Sequence, residues 1–143
     1  MPRQFIKSVT FEIQPGSPIA LQDIECHREI LQRKGVYLLR EGLPTSNSFA
    51  PLSAGVIYIG KAIRETIFSR CFKHRAALRG DPNMRPGKNF MSYRADVPNA
   101  IDKLYVIPGF MDAEPSYLIS CAEEFLLHRY AQRHKKRPRA NTK

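Results

Sequence analysis

Two short runs of β-favouring residues lie near the middle of the chain, and each carries a tyrosine. The first is Gly35-Val36-Tyr37-Leu38-Leu39, and the second is Val56-Ile57-Tyr58-Ile59-Gly60-Lys61. Runs of this length, rich in branched and aromatic residues and bounded by glycine, are typical of strands. The pattern predicts two strands, over about 35–40 and 55–60, that pair as a hairpin and make both tyrosine hydroxyls available to one site.

Two helices are predicted from a change of hydrophobic period. Over 65–79 one apolar stripe is formed by Ile67, Phe68, Cys71, Phe72 and Leu78. Arg70 and His74 lie four residues apart, and therefore on one side of that helix, at the border of the stripe. Without further context, a solvated helix face is the favoured interpretation of this pair.

The second predicted helix, 116–133, is apolar over most of its circumference and has one polar stripe at Ser120, Glu124 and His128. Glu123 lies outside that stripe, among apolar helix neighbours. Because a buried unpaired charge is unfavourable, its carboxylate needs a partner. A salt bridge to an arginine and a metal ligand are equally good interpretations of the bare pattern.

Two segments rich in Gly, Pro, Ser and Asn are predicted to be loops, at 40–54 and 80–99. The first is longer than the usual hairpin connection of about two to five residues, and long loops are often functional. The second mixes Arg85, Lys88 and Arg94 with two aromatic rings, which suits backbone contacts and base stacking on nucleic acid. A surface loop pinned by ring contacts is an equally good interpretation.

The remaining segments carry no chemistry that the sequence identifies. Alternation at Val9, Phe11 and Ile13 predicts a strand over 5–13, and apolar spacing from Ser17 to Lys34 predicts a helix. A third strand is predicted over 103–107 and is expected to stop at Pro108-Gly109. The basic terminus, 133–143, is predicted to be a solvated tail that adds phosphate affinity.

Composition narrows the class of partner. The chain has 143 residues, enough for one domain, and 23 Lys and Arg against 13 acids give a net charge of +10. Such an excess favours a polyanionic partner, nucleic acid first. No stretch is apolar for long enough to span a membrane and the N-terminus has no signal-peptide core, so a cytoplasmic protein without a membrane role is expected.

Five short motifs occur in an order that resembles the GIY-YIG nuclease superfamily. Gly35-Val36-Tyr37 and Tyr58-Ile59-Gly60 resemble the two name-giving motifs. Arg70 with His74, then Glu123, then Pro138-x-x-Asn141, resemble the later ones. The match spans about 34–141. The resemblance implies an α+β fold with a small, largely antiparallel three-stranded central sheet flanked by helices. Residues 34–143 would form the nuclease domain, with insertions at 40–54 and 80–99, and 1–33 an N-terminal strand and helix packed on it.

The resemblance also implies roles for the site residues. Tyr37 would be the general base for an attacking water, Tyr58 would orient water or phosphate, and His74 would position groups or relay protons. Since a tyrosine pKa near 10 is too high for a base, Lys61, Arg70 or the metal is expected to lower it. Arg70 would clamp the phosphate.

Glu123, with Glu124 as the alternative, would bind one Mg²⁺ or Mn²⁺ ion. Arg64, Arg85, Lys88, Arg94 and Asn141 are expected to contact nucleic acid.

Three functions remain open. The leading one is a metal-dependent DNA endonuclease, with RNA a less favoured substrate. The second is a nucleic-acid-binding module on the same fold with weak or no activity. The third is a basic scaffold or RNA-associated protein in which the tyrosines only pack. Within the enzyme class, restriction, mobile-element and repair roles are all open, with a slight preference for the first two, and so is a homodimer.

Overall fold

A computed structural model describes residues 10–44 and 53–141 of the chain. Within these ranges the chain forms five strands and four α-helices. The strands are β1 (Gln14–Pro15), β2 (Ile19–Ala20), β3 (Gly35–Glu41), β4 (Val56–Ala62) and β5 (Leu104–Phe110). The helices are α1 (Arg28–Leu31), α2 (Ile67–Leu78), α3 (Lys88–Asp96) and α4 (Ser116–His134), with 3-10 turns at Leu21–His27 and Ala100–Asp102.

The strands form one antiparallel sheet in the order β1-β5-β3-β4, and β2 also pairs with β5. The α+β class, the three long strands and the two long helices agree with the sequence prediction. The described sheet nevertheless has five strands where three were expected, because residues 14–20 add β1 and β2 to the outer edge of β5. Among the described strands, β4 forms the opposite edge.

The N-terminal predictions were partly wrong. Residues 5–9 of the predicted strand lie outside the described residues, and 10–13 are not in a strand. The predicted helix over 17–34 is replaced by β2, a 3-10 turn and the four-residue α1. Leu21, Ile24 and Leu31 are buried, so their apolar spacing marks a core contact that an irregular helical segment also satisfies.

The expected stop of the third strand at Pro108-Gly109 was also wrong, since β5 continues to Phe110. The Pro108 carbonyl accepts a hydrogen bond from the Gly16 N–H at 2.9 Å, on the outer side of β5. In an antiparallel ladder the N–H and C=O of one residue point to the same side. The missing N–H of Pro108 therefore faces the outer side, away from the β3 ladder, where a proline is tolerated.

The predicted loop at 80–99 contains α3, so that prediction was wrong as well. Phe90 and Tyr93, three residues apart, are buried, whereas Lys88, Met91 and Ser92 are exposed. This is a short amphipathic helix. Its period was hidden because Gly and Pro residues flank it on both sides. In the predicted loop at 40–54, residues 45–52 lie outside the described part, and β3 already takes up 40–41.

Alternation along the central strands creates two different sheet faces. The tyrosine face carries Tyr37, Leu39 and Ile57, and it packs in one cluster with residues of α2 and α3. The aliphatic face carries Val36, Leu38 and Ile59, and it packs in a second cluster with α4. Chemistry-bearing groups and purely apolar groups are thus separated by the sheet.

Candidate active site

A cavity of about 540 Å³ lies at the edge of β4, where the two sheet faces meet. Tyr58 pairs with Leu39 and therefore belongs to the tyrosine face, whereas Lys61 pairs with Val36 and belongs to the aliphatic face. Their odd spacing sends them to opposite sides of an edge strand, and both line the cavity. The large cavity is lined by Tyr58, Lys61, Ile63, Arg64, Glu65, Arg70, Glu123, Leu127 and Asn141.

Arg70 reaches the large cavity from the first turn of α2. The helix begins after Thr66, whose hydroxyl accepts a hydrogen bond from the Ser69 N–H at 3.1 Å and so caps the N-terminus. The Nε of Arg70 is buried and has no hydrogen-bond partner among the described residues. Burial opposes its charge, but the nearby phenol oxygens of Tyr37 and Tyr58 raise the pKa of Arg70 overall. An ionised guanidinium that lines a cavity suits an anionic ligand.

The Glu123 carboxylate enters the cavity from α4, on the side opposite Arg70's helix. Its Oε1 lies 3.7 Å from the Lys61 Nζ, and only 13 % of the side chain is exposed. Lys61 also donates a hydrogen bond to the Ser120 Oγ at 3.2 Å. Glu124 is exposed and does not line the cavity. Of the two carboxylates considered for a metal, Glu123 is therefore the one that faces this space.

Glu65 is a cavity residue that the sequence analysis missed. It accepts hydrogen bonds from the Ser69 Oγ at 2.9 Å and from the Lys73 Nζ at 3.1 Å. Burial raises the pKa of Glu65, but the bonds from Lys73 and Ser69 outweigh it and lower the pKa overall. The available signal was its position just before the Thr66 cap, since acidic residues favour helix N-termini.

Tyr37 does not line the large cavity. Its side chain is fully buried behind Tyr58, with the two rings stacked at 6.1 Å, and its hydroxyl lies 2.7 Å from the His74 Nε2. Arg70 lowers the pKa of Tyr37, but burial outweighs this and raises the pKa well above its ordinary value. In this arrangement Tyr37 is a protonated phenol without direct access to a substrate.

His74 holds Tyr37 in place and remains neutral. Burial, followed by repulsion from the Arg70 guanidinium, lowers the pKa of His74 to about 3. Its ring contacts Tyr58 at 4.7 Å and is stacked on Phe90 at 5.2 Å. A neutral imidazole in this packed position serves to orient the tyrosines, and it carries no charge at neutral pH.

Tyr58 is the tyrosine that faces the large cavity. Burial raises its pKa, and the neighbouring Arg70 partly opposes that shift. Gly60 makes the packing of both tyrosines possible, because a Cβ there would lie 2.5 Å from the Tyr37 hydroxyl oxygen and 2.7 Å from the Tyr58 Cε1. Gly35 is needed for a similar reason, since a Cβ there would overlap the carbonyl oxygen of Gly109.

Asn141 lines the large cavity and is hydrogen-bonded to the backbone of β4. Its Oδ1 accepts from the Ile59 N–H and its Nδ2 donates to the Ile59 carbonyl, both at 2.9 Å. The Ala140 N–H also donates to the Ile57 carbonyl at 2.8 Å. The segment 138–141 was predicted to be a solvated tail, yet Pro138, Ala140 and Asn141 are buried. It covers the outer edge of β4, whose polar groups would otherwise lack partners.

The other predicted nucleic-acid contacts are dispersed. Arg64 is exposed and lines the large cavity, and Arg85 lines a second cavity beside it. Lys88 is exposed at the start of α3. Arg94 is half-buried and donates to the Ala77 carbonyl at the end of α2, at 2.9 Å, so it secures α3 against α2 and does not line either cavity.

The residues present fit a hydrated divalent ion better than a fully protein-ligated one. Within residues 10–44 and 53–141, no three His, Cys, Asp or Glu side chains converge to hold a metal. Mg²⁺ usually keeps several waters and uses one or two carboxylates, which is the donor set that Glu123 offers in a cavity of this size.

Comparisons of the chain with protein-family models, curated proteins and solved structures found no match. Among the described residues, no helix has the length and apolar character needed to cross a membrane.

Proposed function

We propose that this chain is a metal-dependent DNA endonuclease with a GIY-YIG-like arrangement of its three long strands. One observation carries the proposal: Tyr58, Arg70 and Glu123, which come from a strand and two separate helices, line the same cavity. These residues are 65 positions apart at the extremes, so local sequence preference does not explain their meeting. They are three of the side chains that the resemblance assigns to catalysis.

The charges in the large cavity suit a phosphodiester. Three cations, Lys61, Arg64 and Arg70, line it together with two carboxylates, Glu65 and Glu123. Phosphodiester hydrolysis builds negative charge on the non-bridging and leaving oxygens, and fixed cations in a partly closed site stabilise that charge. Arg70 is the proposed phosphate clamp because its side chain is a cavity-lining guanidinium. Net positive charge on the whole chain draws DNA towards this site.

The reaction is hydrolysis by water. The water oxygen forms a bond to phosphorus, the bond to the leaving oxygen breaks, and one water proton passes to a base while the leaving oxygen takes up a proton. Glu123 would hold a hydrated divalent cation, which supplies further positive charge for the phosphoryl oxygens. The Lys61 Nζ, 3.7 Å from that carboxylate, forms an ion pair that orients it.

The structure favours a division of labour between the tyrosines that differs from the one the resemblance implies. Tyr58 faces the cavity and is the phenol that contacts water or phosphate, whereas Tyr37 is buried on His74. Because burial raises the pKa of Tyr58, its phenolate becomes available only in alkaline solution. We assign Tyr58 the direct role and Tyr37 the role of holding the ring of Tyr58.

Plasmid and branched DNA cleavage with and without Mg²⁺ tests the proposal. We expect Arg70→Ala, Glu123→Ala and Tyr58→Phe each to lower kcat about 10²- to 10³-fold, the size expected for a lost oxyanion or phosphate contact. Tyr37→Phe should lower it less, because the phenyl ring still supports Tyr58. Glu124→Ala is the matched control for Glu123→Ala, since it removes an exposed carboxylate one position away.

Two results would reject the assignment. One is cleavage that persists in both Glu123→Ala and Tyr58→Phe, and the other is an equal loss in Glu124→Ala. Circular dichroism of each variant establishes that a loss of cleavage is not a loss of fold.

A DNA-binding module without cleavage is the second candidate. The observation that favours it is that burial raises the pKa of both tyrosines, so neither is a ready base at neutral pH. It predicts tight DNA binding with no Mg²⁺-dependent product at any pH. A restriction, mobile-element or repair role, and a homodimer, are decided by mapping product ends and by the solution mass.

A further inference from the structure

A second cavity, of about 260 Å³, opens beside the large one and has no role in the proposed hydrolysis. Tyr58 and Arg70 form the wall that the two cavities share. Its other lining residues come from α2, from the segment between α2 and α3, from α3 and from residue 140. Those used below are Lys73, His74, Met84, Arg85 and Phe90.

The inner part of the second cavity is aromatic. Tyr58, His74 and Phe90 pack against one another, with the His74 and Phe90 rings stacked at 5.2 Å and 27°. The Tyr58 ring meets Phe90 edge-on at 6.1 Å and 88°. Phe90 is 2 % exposed, so the ring surface open to a flat ligand is mainly that of the partly exposed Tyr58 and His74. Burial lowers the pKa of His74, so its ring is uncharged at neutral pH and contributes only ring surface.

The outer part is cationic. Arg85 is exposed and Arg70 lies on the shared wall, whereas the exposed Lys73 is paired with Glu65. None of the described residues that line the second cavity is acidic, in contrast to the large cavity with its two carboxylates. Aromatic surface combined with cations is the composition by which proteins hold the bases and backbone of unpaired nucleic acid.

We propose that the second cavity binds one unpaired nucleobase of DNA, next to the phosphate held in the large cavity. The inference deepens the proposed function and rests on it. The shared wall links the two events, because Arg70 can hold the phosphate while the adjoining base enters between the ring group and Arg85. Its volume lies below the roughly 300–1,000 Å³ of drug-sized ligand pockets, which limits it to a small group.

The consequence is a substrate preference. A base within a duplex is stacked and paired, so removing it from the helix is unfavourable, whereas a base that is already unpaired avoids that penalty. The chain should therefore bind and cut DNA with an unpaired nucleotide beside the scissile phosphate, such as a flap or a branch, in preference to a continuous duplex.

Fluorescence binding in EDTA tests the subsite without cleavage. The probe is a duplex with a short flap whose first unpaired nucleotide is 2-aminopurine, compared with the same flap carrying an abasic nucleotide there. We expect wild-type protein to change the 2-aminopurine emission and to bind the base-containing flap about tenfold more tightly than the abasic one.

Three variants test whether the base-dependent affinity arises in the second cavity. Met84→Trp fills the cavity and Arg85→Glu reverses its exposed charge, and both should reduce the tenfold preference towards one. Arg79→Glu makes the same charge change at an exposed residue at the end of α2 that does not line this cavity. It should therefore lower the affinity for every DNA probe and leave the preference for the base-containing flap unchanged. Because Arg85 is exposed, its variant remains informative even if Met84→Trp misfolds.

Equal affinity for the base-containing and abasic flaps would overturn the subsite, as would an unchanged preference in Arg85→Glu. The outcome is separate from that of the nuclease proposal. Base-dependent binding without Mg²⁺-dependent cleavage supports the subsite and rejects the nuclease, whereas cleavage without base dependence does the reverse.

Discussion

The two faces of the central sheet differ in what they bury. The aliphatic face packs Val36, Leu38 and Ile59 against α4 with apolar partners. The tyrosine face buries the phenol of Tyr37 and places it on the imidazole of His74. Buried polar groups are tolerable only when hydrogen-bonded, so the tyrosine face is constrained by directional contacts and the aliphatic face mainly by shape.

The difference between the two faces explains why the large cavity lies at the edge of β4. Only at an edge strand can alternate residues from both faces reach one space, and β4 is the edge at which Tyr58 and Lys61 do so. The aliphatic side contributes Glu123 through α4, and the tyrosine side contributes Arg70 through α2. The site thus combines rigid ring packing from one face with charged groups from the other.

The first prediction concerns Gly60→Ala, which disturbs the packing of the tyrosine face. In Gly60→Ala, the new methyl group would overlap the rings of Tyr37 and Tyr58, and it would force Tyr58 out of position. We expect kcat to fall about 10²-fold, because a misplacement of about 1 Å is enough for such a loss. Stability should fall by about 1–3 kcal/mol, as for other overpacked cores.

Ile59→Val is the matched control for Gly60→Ala, since the adjacent residue points to the aliphatic face. It should lower the free energy of unfolding by about 0.5–1.5 kcal/mol and leave kcat nearly unchanged. Denaturant unfolding and cleavage kinetics measure the two effects. Equal effects of both variants on kcat would show that the two faces are not functionally distinct.

The second prediction concerns the edge itself. Asn141→Ala removes both hydrogen bonds to the backbone of Ile59 and leaves its buried N–H and C=O without those partners. We expect the free energy of unfolding to fall by about 2 kcal/mol or more, since each unsatisfied buried group is unfavourable by about 1–3 kcal/mol. Asn83→Ala, at an exposed position, should change it by less than about 0.5 kcal/mol.

Asn141→Asp tests the donor of this side chain separately from its acceptor. The carboxylate can still accept from the Ile59 N–H but would face the Ile59 carbonyl without a donor. It should therefore destabilise the protein too. If Asn141→Ala has no more effect on denaturant unfolding than Asn83→Ala, the edge does not depend on the terminal segment.

The sequence predicted the parts of this fold that depend on local pattern. The β3 and β4 strands, α2 and α4 follow from period and end signals, and so does the placing of Arg70 one turn into a helix. The burial of Tyr37 did not follow, because a strand pattern does not reveal what covers the strand. The helix α3 was missed because flanking Gly and Pro residues obscured the helical period of a segment that is only nine residues long.

Features that depend on which strands form the edges of the sheet could not be predicted from the sequence either. Nothing local shows that β4 is an edge strand, so the meeting of Tyr58 with Lys61 required the topology. The pairing of Asn141 with Ile59 joins residues 82 positions apart. The tolerance of Pro108 within β5 likewise depends on which side of that strand faces the outer edge.

The third prediction uses pH to separate the two faces. The pKa of His74 is lowered to about 3 in the folded chain, below the ordinary value near 6.5, so between these values the unfolded chain binds the proton more readily. Stability from neutral His74 is therefore complete above about pH 6.5 and is lost as pH falls. Relative to His74→Gln, the free energy of unfolding of the wild type should fall by up to about 1.4 kcal/mol per pH unit over that window.

Denaturant unfolding at pH 4.5, 5.5 and 7 measures the difference between wild type and His74→Gln. A difference that does not vary with pH would mean that the tyrosine face accepts a protonated imidazole, and that the contact of His74 with Tyr37 does not require its neutral form.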